Sequence, residues 1–202
     1  MKLVIATSNA GKLREMQALL SSALPWEIVS LASFPSFEMP PEDGETMQQN
    51  ARIKAVYCAR KLQLPCLADD SGLEVDALDG EPGVRSARWH AGTDQERSTA
   101  LLTRLQDIPA NQRTARFRCA LCLAMSENDL HEVEATCEGR IAFEPRGENG
   151  FGYDPIFEIT PQTEADVTVI GRTMAEITAS QKGGISHRAR AVELFLPQLI
   201  HM

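Results

Sequence analysis

Five short stretches of this chain combine carboxylates, cations, aromatic rings and small polar residues in patterns that suit phosphate or metal chemistry. The first is TSNAGK, residues 7–12, between the apolar run KLVIA and the helical pattern LREMQALL. Backbone N–H groups at a helix N-terminus, small polar side chains and a nearby lysine form a common anion site. The stretch is not a P-loop, because Ala6 and Leu13 stand where Gly and Ser or Thr are required. An ordinary turn with Asn9 as the N-cap is the alternative.

Three carboxylates could hold a hard metal ion or act as a general base. Asp69 and Asp70 end the apolar run PCLADD, and adjacent strand residues face opposite ways, so at most one of them points into a given site. Glu42 lies in the loop before a predicted helix on which Asn50 and Lys54 share one face. The alternatives are that the aspartates only form a turn and that Lys54 only extends to solvent.

Positive charge gathers near the last predicted helix. His187 and Arg188 fall in its first turn, with Lys182 just upstream. The helix dipole favours acids at that end, so cations there cost about a few tenths of a kcal/mol unless an anion or a polar ligand is present. These residues therefore indicate an anion site, with a solvated surface pair as the alternative.

The stretch GFGYDP places aromatic rings on a predicted loop. Phe151 lies between two glycines, and Tyr153 follows the second of them, directly before Asp154. An aromatic side chain on such a loop can stack on a base, and the neighbouring carboxylate can accept a hydrogen bond from it. A hydrophobic plug is the alternative, and the loop position favours a functional role.

The elements that must position these residues are predicted from periodicity and turn residues. Strands alternate with helices in the first third of the chain, and two long strands in the middle follow the period of an antiparallel pair with one wet face. This mixture predicts an α/β or α+β fold around a mixed sheet, with a site where loops gather at strand ends. The predicted strands are KLVIAT, WEIVSL, PCLADD, LEVDAL after a turn at Ser71 and Gly72, 114–125 and 131–142, and the predicted helices are 12–23, 46–62, 94–106 and 185–200.

Composition limits the function classes. The 202 residues are 43% hydrophobic, enough for a real core. A formal charge of -8 gives no general field for a nucleic acid. The five cysteines are an odd number, the first residues lack a secretory pattern, and no apolar run reaches the roughly 18 residues of a membrane helix. We therefore predict a soluble, reduced, cytoplasmic protein, and a zinc site at Cys119 and Cys122 is disfavoured because these side chains would face opposite ways.

Six stretches, in order and over nearly the whole chain, give a family resemblance: TSNAGK, GETMQQNARIKA, LADDSGLEVDAL, PGVRSAR, GFGYDPIF and KGGISHRARA. The chain resembles the inosine triphosphate and xanthosine triphosphate pyrophosphatases. The resemblance implies one domain over residues 1–202, with an elongated central mixed sheet, two lobes flanked by helices and a nucleotide cleft between the lobes. It also implies a homodimer.

The resemblance implies an enzyme that converts ITP, dITP and XTP to the monophosphate plus pyrophosphate and depends on Mg²⁺, with Mn²⁺ as a further option. The partner is thus a purine nucleoside triphosphate, with no nucleic acid and no membrane. By the same resemblance, Asp70 is the general base and binds the metal with Glu42, while Lys12 and Lys54 assist catalysis at the phosphates. The remaining substrate-binding residues are Thr7, Ser8, Asn9, Ala10, Gly11, Ser71, Phe151, Gly152, Tyr153, Asp154, Lys182, His187 and Arg188.

Two departures from the family pattern and three other functions stay open at this stage. Asp43 and Gln49 replace the residues that the family usually has around the helix start, but Gln49 can still complete a capping box with Thr46. The segment 158–173 is longer than expected and could be an extra hairpin or a mobile flap.

The alternative functions are a pyrophosphatase for modified pyrimidine nucleotides, a nucleotide sensor without catalysis, and nucleic-acid binding.

Overall fold

The computed structural model describes residues 1–21, 23–34 and 37–199, and it confirms a mixed α/β fold. A six-stranded sheet has the order β2-β1-β3-β4-β5-β6. The strands are β1 Lys2–Ile5, β2 Glu27–Ser30, β3 Cys66–Val75, β4 Thr114–Ala124, β5 Leu130–Ile141 and β6 Phe157–Glu158. The helices are α1 Ala10–Ser21, α2 Met47–Leu62, α3 Asp94–Arg104, α4 Ala179–Ile185 and α5 His187–Leu199.

The chain divides into two compact units. Unit 1 comprises residues 1–71, 119–135 and 188–202, and unit 2 comprises residues 72–118 and 136–187. No helix in the described part of the chain is long and apolar enough to cross a membrane.

Unit 1 is built on parallel strands. β1 pairs with β2, with Lys2 opposite Glu27, and with β3, with Val4 opposite Cys66. Leu3, Ile5 and Leu67 from these strands pack with Met16 and Leu20 of α1 in one core. The apolar stripe predicted for α1 is confirmed, because Leu13 and Leu19 pack against the same core. The carboxyl end of β1, at Ile5, thus lies opposite Leu67, which places the TSNAGK stretch that follows β1 near Asp69 and Asp70 of β3.

Unit 2 is built around antiparallel pairing. β5 pairs with β6, with Ile141 opposite Phe157, and the Arg113–Ile141 backbone bond of 2.8 Å joins the start of β4 to the end of β5. The predicted alternation of β5 is confirmed, because Cys137 and Ile141 are buried while Arg140 is exposed. The core is completed by α3, through Leu101, and by residues of the 153–185 region.

One sequence prediction about the strands is wrong. Ser71 and Gly72 do not form a turn: PCLADD from Cys66 onward and the first three residues of LEVDAL form one continuous strand, β3, and Asp76–Leu78 follow as a 3-10 helix and not as strand. Side-chain partners make the extended path favourable: the Ser71 hydroxyl donates to Asp69 at 2.8 Å, and the Leu73 N–H donates to the Ser86 hydroxyl at 2.8 Å. Ser71 therefore has partners without a turn.

The long segment 158–173 pairs at its two ends, but it contains two 3-10 helices, Pro161–Thr163 and Val167–Val169, in place of the strands of a regular hairpin. The Ile159 N–H donates to the Arg172 carbonyl, and the Gly171 N–H donates to the Ile159 carbonyl, both at 2.8 Å. Between these ends Val169 is buried in the core, and the Thr163 hydroxyl donates to the Glu138 carbonyl at 2.6 Å. The segment is thus attached to the body of unit 2 at several points.

Candidate active site

In unit 1, the TSNAGK stretch connects β1 to α1. The Asn9 side chain accepts a hydrogen bond from the Lys12 N–H at 3.0 Å, and the Thr7 hydroxyl accepts one from the Asn9 N–H at 3.2 Å. Asn9 therefore caps α1, as one sequence interpretation predicted, while Ser8 and Ala10 are exposed at the helix start and Gly11 is buried. The cap does not conflict with an anion site, since the exposed N-terminus of α1 carries the positive end of the helix dipole.

Helix α2 brings two polar side chains to one carboxylate in unit 1. The Asn50 amide donates to Asp70 Oδ2 at 3.1 Å, and Lys54 Nζ lies 3.3 Å from Asp70 Oδ1. Lys54 Nζ also donates to Glu42 Oε1 at 3.0 Å. The shared face predicted for Asn50 and Lys54 is confirmed, and the alternative that Lys54 extends to solvent is wrong, because its side chain is only 5% exposed.

The start of α2 keeps its cap despite the departures at Asp43 and Gln49. The Thr46 hydroxyl accepts from the Gln49 N–H at 3.1 Å. The Gln49 side chain accepts from the Glu45 N–H at 2.7 Å, one residue earlier than a standard capping box. The helix start is therefore kept, but the capping box predicted for Gln49 and Thr46 is not completed, because the Gln49 side chain binds the N–H of Glu45 and not that of Thr46.

The surroundings of Asp70 favour a proton acceptor. Burial raises the pKa of the Asp70 carboxyl above its ordinary value, against the opposing effect of the Lys54 and Lys12 charges. Burial would lower the pKa of Lys54, but the charges of Asp70, Asp69 and Glu42 outweigh it and raise that pKa. A carboxylate of raised pKa beside a persistent cation is a suitable general base.

Asp69 faces the other side of β3 and joins two cations within unit 1. Its Oδ2 atom lies 3.3 Å from Lys12 Nζ and accepts hydrogen bonds from Arg188 Nη2 at 3.0 Å and Nε at 3.2 Å. Arg188 also pairs with Glu15 of α1, and its Nη2 donates to the Ser71 hydroxyl at 3.2 Å. The prediction that the adjacent aspartates point apart is confirmed.

Electrostatics keep Asp69 ionised. Burial would raise its pKa, but the charges of Lys12 and Arg188 outweigh that effect and hold the pKa well below the ordinary value. The ion pairs described above join three cations to four carboxylates, so their cations do not outnumber their carboxylates. The cations are Lys12, Lys54 and Arg188, and the carboxylates are Glu15, Glu42, Asp69 and Asp70.

The same arrangement explains the basic first turn of α5. His187 and Arg188 are its first two residues, as predicted, and the anions that meet Arg188 are carboxylates of the protein, so the surface-pair alternative is wrong for Arg188. The short helix α4, which the sequence did not predict, carries Lys182.

In unit 2, the turn at residues 150–154 combines an aromatic ring with a buried ion pair. Lys182 forms an ion pair with Asp154, both side chains being nearly inaccessible, and its Nζ lies 4.9 Å from the centroid of the Phe151 ring. The Asp154 carboxylate also accepts from the Phe151 N–H at 2.8 Å. Gly150 has a positive φ of 78°, and a Cβ there would collide with the Asp154 carboxylate. The glycine is therefore required for this turn.

Two other predicted binding residues in unit 2 are packed inside. Tyr153 is buried in the core, and its hydroxyl donates to the Ser86 carbonyl at 3.1 Å. His187 is buried, and its ring stacks on Phe117 with centroids 4.9 Å apart. The hydrophobic-plug alternative is correct for Tyr153, whereas Phe151 is partly accessible. These contacts assign neither residue a role in binding.

The carboxylates Glu42 and Asp70 fit a divalent cation. Their oxygen atoms already converge on one positive charge, the Lys54 ammonium. No group of three or more His, Cys, Asp or Glu side chains in the described ranges is arranged to hold a metal ion. Two carboxylates alone suit Mg²⁺, which usually keeps several waters and binds substrate phosphates together with one or two carboxylates.

Three polar residues around these clusters were not predicted as site residues. Glu15 pairs with Arg188, and its position three residues after Lys12 on α1 was a signal that could have been used. Asn50 was placed on the correct face but without its contact to Asp70. Asp94 accepts a hydrogen bond from the Gly152 N–H at 2.8 Å, and no local sequence pattern distinguishes it from any other acid in the first turn of a helix.

The chain combines a mixed sheet with a centre of carboxylates and lysines in unit 1. This combination defines a class of protein suited to phosphate chemistry. The profile of the Ham1 family matches residues 3–198. The chain therefore belongs to the Ham1 family, which confirms the resemblance seen in the six stretches.

Individual relatives are similar to this chain over nearly its full length. The dITP/XTP pyrophosphatase of Geobacillus kaustophilus is 48% identical over 194 residues, which cover 95% of this chain and 90% of the relative. A dITP/XTP pyrophosphatase of Thermus thermophilus is 45% identical over 197 residues, covering 97% and 90%. The solved structure of a HAM1 protein from Coxiella burnetii is similar at a TM-score of 0.85 and 39% identity, covering all of both chains.

Proposed function

We propose that this chain hydrolyses the non-standard purine nucleotides ITP, dITP and XTP to the monophosphate and pyrophosphate, and so removes deaminated purines from the nucleotide pool. The observation that carries the proposal is the convergence of Asp70, Lys54 and Glu42 in unit 1, in a chain whose relatives are named dITP/XTP pyrophosphatases. Membership of the Ham1 family supports it.

We assign Asp70 as the general base. It takes a proton from a water molecule whose oxygen attacks the α-phosphorus, the bond from that phosphorus to the bridging oxygen breaks, and pyrophosphate leaves. The raised pKa of Asp70 supports this role, because a base accepts a proton more readily when its pKa approaches the working pH. Asn50 orients the carboxylate through its hydrogen bond.

We assign the phosphate groups to the N-terminus of α1 with Lys12 and Lys54. A triphosphate would add several negative charges beside carboxylates that already pair with Lys12 and Lys54, so two lysines alone do not balance it. We therefore propose a Mg²⁺ requirement, with Mn²⁺ as a substitute, and Glu42 and Asp70 as the protein ligands. When bound, the ion would neutralise phosphate charge and polarise the phosphoryl oxygens.

We assign the purine to the turn that carries Phe151 in unit 2. The ring can stack on a base, and Lys182 beside it can donate to a keto oxygen at the purine 6-position. Adenine has an amino group at that position, so a donor of the protein would face a donor of the base, which weakens binding. A base-reading role for Arg188 remains a prediction, since the contacts described above join it to Asp69, Ser71 and Glu15.

The test is to incubate the purified protein with ITP, dITP, XTP, GTP, ATP and a panel of modified pyrimidine nucleotides, with Mg²⁺, with Mn²⁺ and with chelator, and to identify the products by chromatography. We expect IMP, dIMP or XMP plus pyrophosphate, little reaction of GTP and ATP, and none with chelator.

Other results would replace the proposal. Products from the pyrimidine panel alone would favour a related pyrimidine pyrophosphatase, and nucleotide binding without product would favour a sensor. Inorganic phosphate in place of pyrophosphate would contradict attack at the α-phosphorus.

We further propose that the protein acts as a homodimer in the cytoplasm, which sedimentation and cell fractionation would test.

A further inference from the structure

Helix α3 contacts the turn that carries Phe151 through one carboxylate. Asp94, the first residue of α3, accepts a hydrogen bond from the Gly152 N–H at 2.8 Å. Its other carboxylate oxygen pairs with Arg97, three residues later on the same helix. The start of α3 is fixed in turn by a full capping box between Thr93 and Glu96. The Asp94 carboxylate, which accepts the hydrogen bond from Gly152, is therefore fixed by contacts within the start of α3.

Successive residues of the turn are held by different partners. The Phe151 N–H donates to Asp154, the Gly152 N–H donates to Asp94, and the buried Tyr153 donates to the Ser86 carbonyl. Gly152 has a positive φ of 62° and no side chain to hold it. Such a residue has wide backbone freedom unless its peptide groups are bonded. The Asp94 contact restrains the backbone of this glycine.

We propose that Asp94 is a positioning residue that fixes the Phe151–Gly152 turn in the conformation that receives a purine base. This inference rests on the proposed function, which gives Phe151 its role in binding. A carboxylate bonded to a backbone N–H forms a charge-assisted hydrogen bond, which is stronger than a neutral one. A loop that is already fixed before the substrate binds loses less conformational entropy on binding. Loss of the contact should therefore weaken substrate binding and leave the chemical step unchanged.

The kinetic test compares three variants with ITP as the substrate. In Asp94→Ala the acceptor is lost, so we expect KM to rise about five- to tenfold, as for loss of one hydrogen bond, with kcat within about twofold. Asp94→Asn keeps a carbonyl oxygen as acceptor and should restore most of the wild-type KM. Asp107→Ala removes another exposed carboxylate of unit 2 and should behave as wild type.

A second readout does not depend on activity. Amide hydrogen exchange at Gly152, followed by NMR, should accelerate about tenfold in Asp94→Ala and stay near wild type in Asp94→Asn. An unchanged KM in Asp94→Ala, an unchanged exchange rate at Gly152, or an Asn variant as impaired as the Ala variant would overturn the positioning role. If the wild-type protein leaves purine triphosphates intact, the proposed function fails, and the exchange rates alone decide whether Asp94 holds the turn.

Discussion

The two clusters of polar side chains differ in how they balance charge. In unit 1, Asp69 and Asp70 are buried beside Lys12, Lys54 and Arg188, and most cations have more than one carboxylate partner. In unit 2, the buried ion pair between Asp154 and Lys182 lies beside an aromatic ring. The proposed function accordingly assigns the charged phosphates to unit 1 and the flat base to unit 2.

This difference predicts where substitutions act. Changes in the charged cluster should affect the chemical step, because they alter the base or the stabilisation of the leaving group. Changes at the aromatic turn should affect binding and the choice of base, because stacking is made equally in the ground state and the transition state. The predictions below test that division, beginning with the largest expected effect.

Asp70→Asn should lower kcat for ITP by about 10² to 10⁴, the usual contribution of general-base catalysis. The amide cannot accept the proton, yet it has the same shape and can still be bonded by Asn50. The melting temperature should stay within about 5 °C of wild type, because burial already disfavours the charged carboxylate. Asp79→Asn, an isosteric change at an exposed position, is the control. Near-normal turnover in Asp70→Asn would remove the base assignment.

Phe151→Ala should raise KM for ITP by about tenfold or more, since stacking of a base on an aromatic ring contributes about 1–3 kcal/mol. The value of kcat should change much less. Phe151→Trp retains a stacking surface and serves as the control. A fall in kcat without a rise in KM would contradict the division between the two units.

Asn50→Ala should move the acid limb of the pH profile of kcat/KM to higher pH by about half to one unit. The assignment of Asp70 as the general base requires its ionised form, and kcat/KM should therefore rise as pH increases through the Asp70 pKa. The Asn50 hydrogen bond lowers that pKa, so its removal raises the pKa and requires a higher pH for the same ionised fraction. A profile with an unshifted acid limb would show that Asn50 does not tune the base.

The cysteine thiols of unit 1 are expected to be neutral, and so to contribute no negative charge to that unit. Burial raises the pKa of Cys58, Cys66, Cys119 and Cys122 to about 12. Alkylation by iodoacetamide at pH 8, followed by mass spectrometry, should be at least about a hundredfold slower in the folded protein than in urea, since the thiolate is the reactive form. Activity should persist during the labelling. Rapid labelling of the folded protein would contradict the buried, neutral state.

Regular periodicity was enough to predict much of the fold. Helices α1 and α2 and strands β4 and β5 lie close to their predicted positions because their apolar residues repeat at the spacing of each element. The same geometry predicted that Asp69 and Asp70 point apart and that Asn50 and Lys54 share a face. These statements concern residues that are close in sequence.

Contacts between distant segments could not be predicted in this way. Ser71 stays in β3 because Asp69 and Arg188 bind its hydroxyl, and Arg188 lies 117 residues away from it. Asp94 and Gly152 are 58 residues apart, and neither has an unusual local sequence. The short helix α4 was missed because Gly183 and Gly184 disfavour a helix, whereas Thr178 and Gln181 cap its start.

The pairing of Arg188 with Glu15 has a consequence for the order in which the protein is made. These residues are 173 positions apart, so the ribosome exposes Glu15, Asp69 and Lys12 long before Arg188 exists. Until then Asp69 lacks the positive charge of Arg188, which helps to keep its buried carboxylate ionised. Folding of unit 1 is therefore expected to finish only after α5 has been synthesised, and a nascent chain arrested before residue 188 should remain open to proteases in that unit.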